Sequence, residues 1–272
     1  MPAAFVDNAQ LTFPSAASSV TLTPSGTAHV YGAWAEIAAS APSDLLLTGI
    51  DVKPDGSNND SYVDIEIGVG PAGSEVGIST FGFHPRGLGG FVSTDSLLSN
   101  IRASIPVSGI SSGDRIAARI RRGTTSAATI PVAVHAIAAP LDGDLETTAQ
   151  PLQITAQEIS ASAHATTPWT SGAWVELIAS TAAAIVINHL VARGSDSGQP
   201  FEIDIGVGAA GSEVVVATVP GQGGGWPTGT GVHELPVLFD NIAAASRVAL
   251  RARSNAANTN FALRLGYYEK PL

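Results

Sequence analysis

Apolar and polar residues alternate along several short stretches of the chain. In the segment DIEIGVG, the apolar residues Ile65, Ile67 and Val69 alternate with acidic residues and glycine. The segments RIAARIR (115–121) and NFALRLGYY (260–268) alternate in the same way. Successive side chains of a β-strand point to opposite faces of its sheet, so a period of two is typical of a half-buried strand. These segments are therefore predicted to be strands.

Turn-forming segments separate the predicted strands. They are rich in Gly, Pro, Asn, Asp and Ser: KPDGSNNDS (53–61), RGSDSGQP (193–200) and GQGGGWPTGTG (221–231). The alanine-rich segment STAAAIVINHL (180–190) resembles a helix at its start, but its β-branched residues favour a strand. Short strands with frequent turns are typical of an antiparallel sandwich or jelly roll, and we expect little helix.

The sequence is an internal duplication. Three segments recur in the same order, at offsets of 140, 138 and 132 residues: GAWAEIAAS (32–40) as GAWVELIAS (172–180), DIEIGVGPAGSEV (64–76) as EIDIGVGAAGSEV (202–214), and DRIAARIRR (114–122) as SRVALRARS (246–254). Drifting offsets are what loop insertions produce, and two copies are too few for a solenoid. The copies are predicted to share one fold, with three pairs of equivalent positions: Trp34 with Trp174, Ile67 with Ile205, and Ile116 with Val248.

The predicted fold class is all-β, with two tandem, duplicated, jelly-roll-like antiparallel β-sandwich domains. The first domain is predicted to span residues 14–140 and the second 151–272. The acidic, polar segment 141–150 between them is predicted to be a linker.

The N-terminal segment 1–13 has no counterpart between the copies. It carries four apolar residues, Phe5, Val6, Leu11 and Phe13. Disordered tails are depleted in aromatic residues, so we expect this segment to order against something. It is either an attachment arm that docks on a neighbouring subunit or a capsid, or an extra edge strand.

Composition narrows the range of partners. The 13 Lys and Arg against 23 Asp and Glu give a formal charge of −10, which disfavours nucleic acid and anionic membranes. The chain contains no cysteine, so disulfides and thiol chemistry are excluded. No apolar run approaches the roughly 18 residues of a membrane span, so membrane insertion is not expected. The start MPAAFVDNAQ lacks a basic region and an apolar core, so we expect no signal peptide.

Two glycine clusters satisfy the G-x-G-x-x-G pattern of dinucleotide-binding folds. They are GVGPAG (68–73) and GVGAAG (206–211). In a dinucleotide fold the third glycine must open a helix that holds the pyrophosphate, whereas both clusters here are followed by strand-like sequence. We expect hairpin connections in which glycine supplies positive φ angles, and no bound cofactor.

Acidic and basic residues lie on separate predicted strands in each copy. The acid pairs are Asp64 with Glu66 and Glu202 with Asp204, and the basic stripes are Arg115, Arg119 and Arg121, then Arg247, Arg251 and Arg253. Two carboxylates on one strand face could serve a glycosidase. Their presence in both copies favours a solvated sheet face with cross-strand ion pairs instead.

Aromatic residues in divergent loops are the candidate contact residues. Loops that differ between two copies of one scaffold are where distinct contacts are expected. The segments that differ most carry Phe83, His84 and Arg86 in the first copy and Trp226 in the second, and these are candidate partner or glycan contacts. Trp169 also has no tryptophan counterpart, whereas Trp34 and Trp174 are expected to be core aromatics or sheet-face anchors.

The sequence offers no recognisable catalytic, metal or cofactor site. The six histidines lack ligand spacing, and DGSNNDS (55–61) lacks the terminal glutamate of an EF-hand and is predicted to be a turn. There is no G-x-S-x-G and no P-loop. We therefore predict that the protein is not an enzyme, although an active site with carboxylates converging in a cleft stays open as a hypothesis.

The repeated segments GAW-x-E and I-[ED]-I-G-V-G-x-A-G-S-E-V resemble surface proteins of tailed-phage-like particles: head spikes, fibres and decoration proteins of phages and of gene transfer agents from α-proteobacteria. The resemblance covers about residues 32–134 and 172–267. It implies a non-enzymatic β-sandwich adaptor, joined to a capsid on one side and to a fibre or host glycan on the other. It implies no particular site residues.

The function favoured by these observations is a structural virion-surface protein: a head spike, fibre base or decoration protein that self-associates and connects capsid to fibre or host surface. The expected partners are copies of itself and a capsid or fibre protein, with a host glycan as a further candidate. We expect assembly in the cytoplasm and residence on the virion or phage-like particle surface. The alternative is a carbohydrate-binding module that recognises a host surface polysaccharide.

Overall fold

The structure is a computed structural model. It describes residues 11–14, 18–52, 62–83, 99–138, 152–155, 158–162, 167–194, 199–222, 230–233, 239–256 and 259–269.

Every regular element in these ranges is a β-strand. The strands of the first copy are β1 (Leu11–Phe13), β2 (Val20–Leu22), β3 (Ala35–Ala38), β4 (Leu45–Val52), β5 (Val63–Val69), β6 (Val76–Phe83), β7 (Ser99–Ile110), β8 (Ile116–Arg122) and β9 (Ile130–Ala138). Those of the second copy are β10 (Leu152–Ile154), β11 (Ile159–Ser162), β12 (Val175–Ile178), β13 (Ile185–Gly194), β14 (Pro200–Val207), β15 (Val214–Gln222), β16 (Thr230–His233), β17 (Phe239–Ile242), β18 (Val248–Ser254) and β19 (Asn260–Glu269). The expectation of little helix and the strand predicted around 185–190 agree with this assignment.

One four-stranded sheet has the same strand order in both copies. In the first copy the order is β3-β8-β5-β6, and in the second it is β12-β18-β14-β15. Even the register irregularity recurs, between Glu36 and Ala38 in β3 and between Glu176 and Ile178 in β12. These two sheets carry the arginine stripes, and we call them the charged sheets.

The second sheet of each copy is also built in the same way. In the first copy β1 and β2 both pair with β9, which is followed by β4 and β7. In the second copy β10 and β11 both pair with β19, which is followed by β13 and then β16 and β17. The duplicated, antiparallel all-β fold predicted from the sequence is confirmed.

Equivalent residues of the two copies lie at equivalent places. Ile67 lies in β5 and Ile205 in β14, and Ile116 and Val248 are the first residues of β8 and β18. Each occupies the same place in its sheet, as the duplication predicts.

The chain separates into two compact units that do not coincide with the sequence copies. Unit 1 comprises Met1–Asp55, Ile65–Thr80 and Thr94–Pro151, and unit 2 comprises Gly56–Asp64, Phe81–Ser93 and Leu152–Leu272. The domain boundaries 14–140 and 151–272, with the linker 141–150, stay a prediction.

Alternating residues of the charged sheets form the core. In β5, Ile65 and Ile67 have no exposed surface, and Ile203 and Ile205 of β14 are equally buried. In the second copy, residues of both sheets meet in one cluster, where the rings of Phe201 and Phe261 lie 4.9 Å apart. This contact between two sheets is what makes the copy a sandwich.

The glycine clusters form hairpins, as predicted. GVGAAG connects β14 to β15, which pair antiparallel, and GVGPAG connects β5 to β6, which are neighbours in their sheet. Gly70 has φ 117° and Gly208 has φ 132°, a region that residues with a Cβ rarely adopt.

Candidate functional site

One arginine in each charged sheet bridges two glutamates. Arg115 Nε donates a hydrogen bond to Glu36 Oε2 at 2.8 Å, and its Nη1 donates to Glu75 Oε1 at 2.7 Å. The second copy repeats both contacts at 2.7 Å, through Arg247, Glu176 and Glu213. Each arginine thereby ties the outer strand of its charged sheet to the glycine hairpin.

The inner glutamates of these bridges stay ionised in spite of burial. The side chains of Glu75 and Glu213 are only 3% and 2% exposed, and burial alone would raise their pKa. Hydrogen bonds to Glu75 from its own amide, from Arg115 and from the amide of Gly73 outweigh burial and lower the pKa of Glu75 below its usual 4.5. The same arrangement lowers the pKa of Glu213. In return, the hydrogen bonds that Arg115 donates to Glu36 and Glu75 raise the pKa of Arg115.

A tryptophan packs on each charged sheet, against a glycine and an arginine. Trp34 covers Gly68 so closely that a Cβ at residue 68 would lie 2.6 Å from Trp34 Cη2. The guanidinium of Arg119 lies 4.3 Å from the centroid of the Trp34 ring. The second copy repeats both contacts. A Cβ at Gly206 would lie 2.5 Å from Trp174 Cη2, and the guanidinium of Arg251 lies 4.5 Å from the centroid of the Trp174 ring. Of the two predicted roles, these tryptophans have that of sheet-face anchors, and this contact explains the tryptophan of the motif GAW.

The first copy extends this stack with Tyr31. The ring centroid of Tyr31 lies 4.5 Å from the guanidinium of Arg119 and 4.7 Å from that of Arg121. The second copy has Ser171 at the equivalent position. The two charged sheets therefore differ in the number of stacked rings, although the arginine that bridges two glutamates recurs in both.

The predicted neighbourhood of acidic and basic strands is confirmed. Glu202 is the register partner of Arg253, and Asp204 is that of Arg251. Ion pairs join both couples, and Arg119 pairs with Glu66 in the first copy.

The prediction that these acids form a solvated face was wrong for two of the four. Asp64 is fully buried and Asp204 is 3% exposed. The carboxylate of Asp204 is shielded from solvent by the two groups that donate hydrogen bonds to it. These are Arg251 Nε and the hydroxyl of Thr218, the latter at 2.7 Å. Only Glu66 and Glu202 keep appreciable exposure, at 17% and 30% of their side chains.

Asp64 belongs to a fully buried ion pair within unit 2. Both of its oxygens accept from Arg264, whose Nη2 lies 2.8 Å from Oδ2, and both side chains have no exposed surface. Arg264 also donates from Nε to the carbonyl of Thr155 at 3.0 Å, and its guanidinium lies 3.9 Å from the ring centroid of Tyr62. A buried bidentate pair with further acceptors is the arrangement in which two charges tolerate removal from water.

An exposed tryptophan is held in place by amide side chains in unit 2. Trp169 is 45% exposed and has a φ of 58°, which is unusual for a bulky residue. Its indole Nε1 donates to Asn255 Oδ1 at 3.2 Å, and Asn255 Nδ2 donates to Gln199 Oε1 at 3.1 Å. The equivalent residue of the first copy is His29, which has a φ of 63°.

A histidine in unit 1 joins three strands of one sheet. The hydroxyl of Thr12 in β1 lies 3.1 Å from His135 Nδ1, and Asp51 Oδ2 in β4 lies 2.7 Å from His135 Nε2. His135 is only 7% exposed. The contact fixes the N-terminal edge strand to the sheet.

Comparison with known proteins gives structural similarity only. No protein-family model matches the sequence, and no curated protein matches it. The chain is similar to STIV MCP, the major capsid protein of STIV, with 10% identity over 96% of this chain and 97% of that one and a TM-score of 0.47. It is also similar to the insecticidal delta-endotoxin Cry8Ea1 from Bacillus thuringiensis, with 9% identity over 87% of this chain and 54% of that one and a TM-score of 0.29. The fold assignment above follows from the strand order and register of this chain.

The sequence-predicted contact residues fall largely beyond the described ranges. Phe83 is the last residue of β6, while His84, Arg86 and Trp226 lie outside those ranges. Their assignment as partner or glycan contacts stays a prediction.

The N-terminal segment is described only at its end. Leu11 and Phe13 are half-buried in β1, which pairs antiparallel with β9. For these residues the edge-strand interpretation holds. The prediction that they have no counterpart was wrong, because β10 pairs with β19 as β1 pairs with β9. Phe5 and Val6 lie outside the described ranges. Attachment through this segment stays a prediction.

Sequence reasoning missed two groups of residues. The alternation in NFALRLGYY predicts only a strand for Arg264, and the equivalent register position in the first copy is Ala133. Trp169 has no tryptophan counterpart, but the glycine-rich loop of Trp226 favours Trp226 as the contact residue. Alignment of the two copies at the GAW motif makes Trp169 equivalent to His29, and this is the signal that marks Trp169 as a departure from the repeat.

The described residues contain neither a candidate metal site nor a candidate membrane-spanning helix. No group of three or more His, Asp or Glu side chains in these ranges is arranged to hold a metal ion. No helix within them has the length and apolarity that a membrane crossing requires.

Proposed function

We propose that this chain is a structural protein of a virion or phage-like particle surface, which self-associates and connects a capsid to a fibre or host surface. The observation that carries the proposal is an exposed valine at the same place in both copies. Val76 is 66% exposed and Val214 is 67% exposed, and Val215 beside it is 42% exposed.

These valines begin the outermost strands of the charged sheets. Among the described strands, β6 and β15 each pair with one neighbour in their sheet. An edge strand offers unpaired backbone groups to a further strand, and large exposed apolar side chains on it favour association. Each chain has two such edge strands, one in each sequence copy. One subunit can therefore contact two other subunits, as a multi-subunit surface layer requires.

The resemblance of the repeated segments to surface proteins of tailed-phage-like particles supports the same function. On this proposal the N-terminal segment, with Phe5 and Val6, attaches the subunit to the capsid. The divergent segments around Phe83 and Trp226 are then left to meet a fibre or a receptor.

The proposal is tested by the oligomeric state of the full chain. We expect an oligomer in size-exclusion chromatography with light scattering, and a monomer for the double variant Val76→Glu/Val214→Glu. The matched control is Ser74→Glu/Ser212→Glu, which adds the same charges to exposed positions on the same hairpins. A wild-type chain that stays monomeric at every concentration, or a valine variant that assembles normally, would contradict the proposal.

A second candidate function is carbohydrate binding on the same particle. The specific observation in its favour is Trp169, because an exposed aromatic ring held beside amide side chains is suited to a sugar.

A further inference from the structure

We propose that Trp169, Asn255 and Gln199 form a binding site for a neutral sugar residue of a polysaccharide. The inference rests on the second candidate function and names its site and ligand class. It moves the expected glycan contact from the loop of Trp226 to a described turn of unit 2.

The ring of Trp169 is exposed and oriented at the same time. Almost half of its surface is open to solvent, while its indole N–H is engaged by Asn255 Oδ1 at 3.2 Å. The backbone is fixed as well, because Trp169 N donates to the carbonyl of Ser254 at 2.8 Å. A ring held on both sides loses little conformational freedom when a ligand stacks on it.

The amide side chains beside the ring match the hydroxyl groups of a sugar. Asn255 Nδ2 donates to Gln199 Oε1 at 3.1 Å, which orients both amides. A side-chain amide carries two N–H donors and a carbonyl with two lone pairs, so the contacts made here leave donors and acceptors for a ligand. Sugar hydroxyls both donate and accept, and a protein site for them combines such groups with an aromatic face.

The fold itself does not need this group of residues. The first copy closes the equivalent turn with His29. Its backbone N–H donates to the carbonyl of Arg122 at 2.7 Å, and its φ is also positive. At the position equivalent to Asn255 the first copy has Gly123. The first copy forms the turn without a tryptophan or an asparagine, so neither side chain is required for this turn.

Charge selects the kind of sugar. The chain carries a formal charge of −10, which repels an acidic polysaccharide. The three side chains of the site are uncharged. A neutral sugar unit is therefore the ligand that the site fits.

The test is binding of the full chain to a printed array of neutral glucan, mannan and galactan oligosaccharides, with acidic oligosaccharides on the same array. We expect binding to at least one neutral oligosaccharide. The variant Trp169→Ala is expected to lose at least about tenfold in affinity in a fluorescence titration with that oligosaccharide. The matched control His29→Ala, at the same turn of the first copy, is expected to stay within about twofold.

Two further variants separate a contact from a structural role. Trp169→Phe keeps a ring without the indole N–H and should retain part of the affinity, whereas Asn255→Ala should weaken binding without changing the circular dichroism spectrum. The inference is overturned if the wild-type chain binds no neutral oligosaccharide, binds only acidic ones, or binds equally well after Trp169→Ala. Light scattering reports independently, so an oligomer without glycan binding would leave the structural function intact and refute only this site.

Discussion

Replacing Arg264 with alanine is expected to destabilise the protein strongly. The guanidinium is fully buried, and it is held by Asp64, by the carbonyl of Thr155 and by the ring of Tyr62. Alanine at this position removes both hydrogen bonds that the buried carboxylate of Asp64 accepts from the guanidinium. The loss therefore includes the weaker compensation of a buried charge as well as the lost contacts.

The expected magnitude follows from burial. Removal of one partner of a fully buried pair costs about 3–5 kcal/mol. The matched control is Arg253→Ala, because Arg253 pairs with Glu202 on the charged sheet and both side chains are about one-third exposed. Exposed pairs of this kind contribute about 0–1 kcal/mol, so the two arginines should differ by several kcal/mol in the free energy of unfolding.

The assay is a urea titration of each variant, followed by far-ultraviolet circular dichroism. The double variant Asp64→Leu/Arg264→Met removes both charges and keeps apolar volume, so it should be less destabilised than Arg264→Ala alone. If Arg264→Ala loses no more stability than Arg253→Ala, water reaches the pair and the reasoning from burial is refuted.

Three further predictions concern the charged sheets. Gly68→Ala should lower the free energy of unfolding by about 1–3 kcal/mol in a urea titration, because the new Cβ would meet the Trp34 indole at 2.6 Å. It should also alter the near-ultraviolet circular dichroism of Trp34, and an unchanged spectrum would contradict the contact. Arg119→Ala should cost about 1–2 kcal/mol in the same titration, from one partly exposed ion pair and two ring contacts; a larger loss would mean that the arginine is buried. The folded-state pKa of Glu75 is lowered, so its stabilisation is complete above its usual 4.5 and is lost as the pH falls through the folded value. The stability difference between wild type and Glu75→Gln should therefore shrink as the pH falls below 4.5, and a constant difference would contradict it.

The strands and the duplication could be predicted from the sequence because they depend on local patterns. The alternation around Ile65 and Ile67 reflects a sheet with one face in the core, and the same alternation recurs at Ile203 and Ile205. The hairpins at Gly70 and Gly208 could be predicted because a positive φ leaves few residues other than glycine. The ion pairs followed from charges that recur at the same spacing in both copies.

The buried pair and the exposed tryptophan could not be predicted in the same way, because each departs from the repeat. Asp64 and Glu202 are equivalent in sequence, but Arg264 is present in only one copy and determines that Asp64 is buried while Glu202 is not. A pattern read from one segment does not show which distant side chain will cover it. Likewise, the exposure of Trp169 depends on a turn and on Asn255, 86 residues away.

The pair between Asp64 and Arg264 has a consequence for how this gene can evolve. The arginine lies in the second sequence copy and takes its counter-ion from the first, while the first copy carries Ala133 at the equivalent position. Because a fully buried guanidinium needs a carboxylate, the arginine is tolerated at this position only while the first copy keeps an acid at residue 64. A substitution of Asp64 alone would leave the guanidinium of Arg264 buried without that carboxylate. The two sequence copies are therefore no longer interchangeable, because a residue of one depends on a residue of the other.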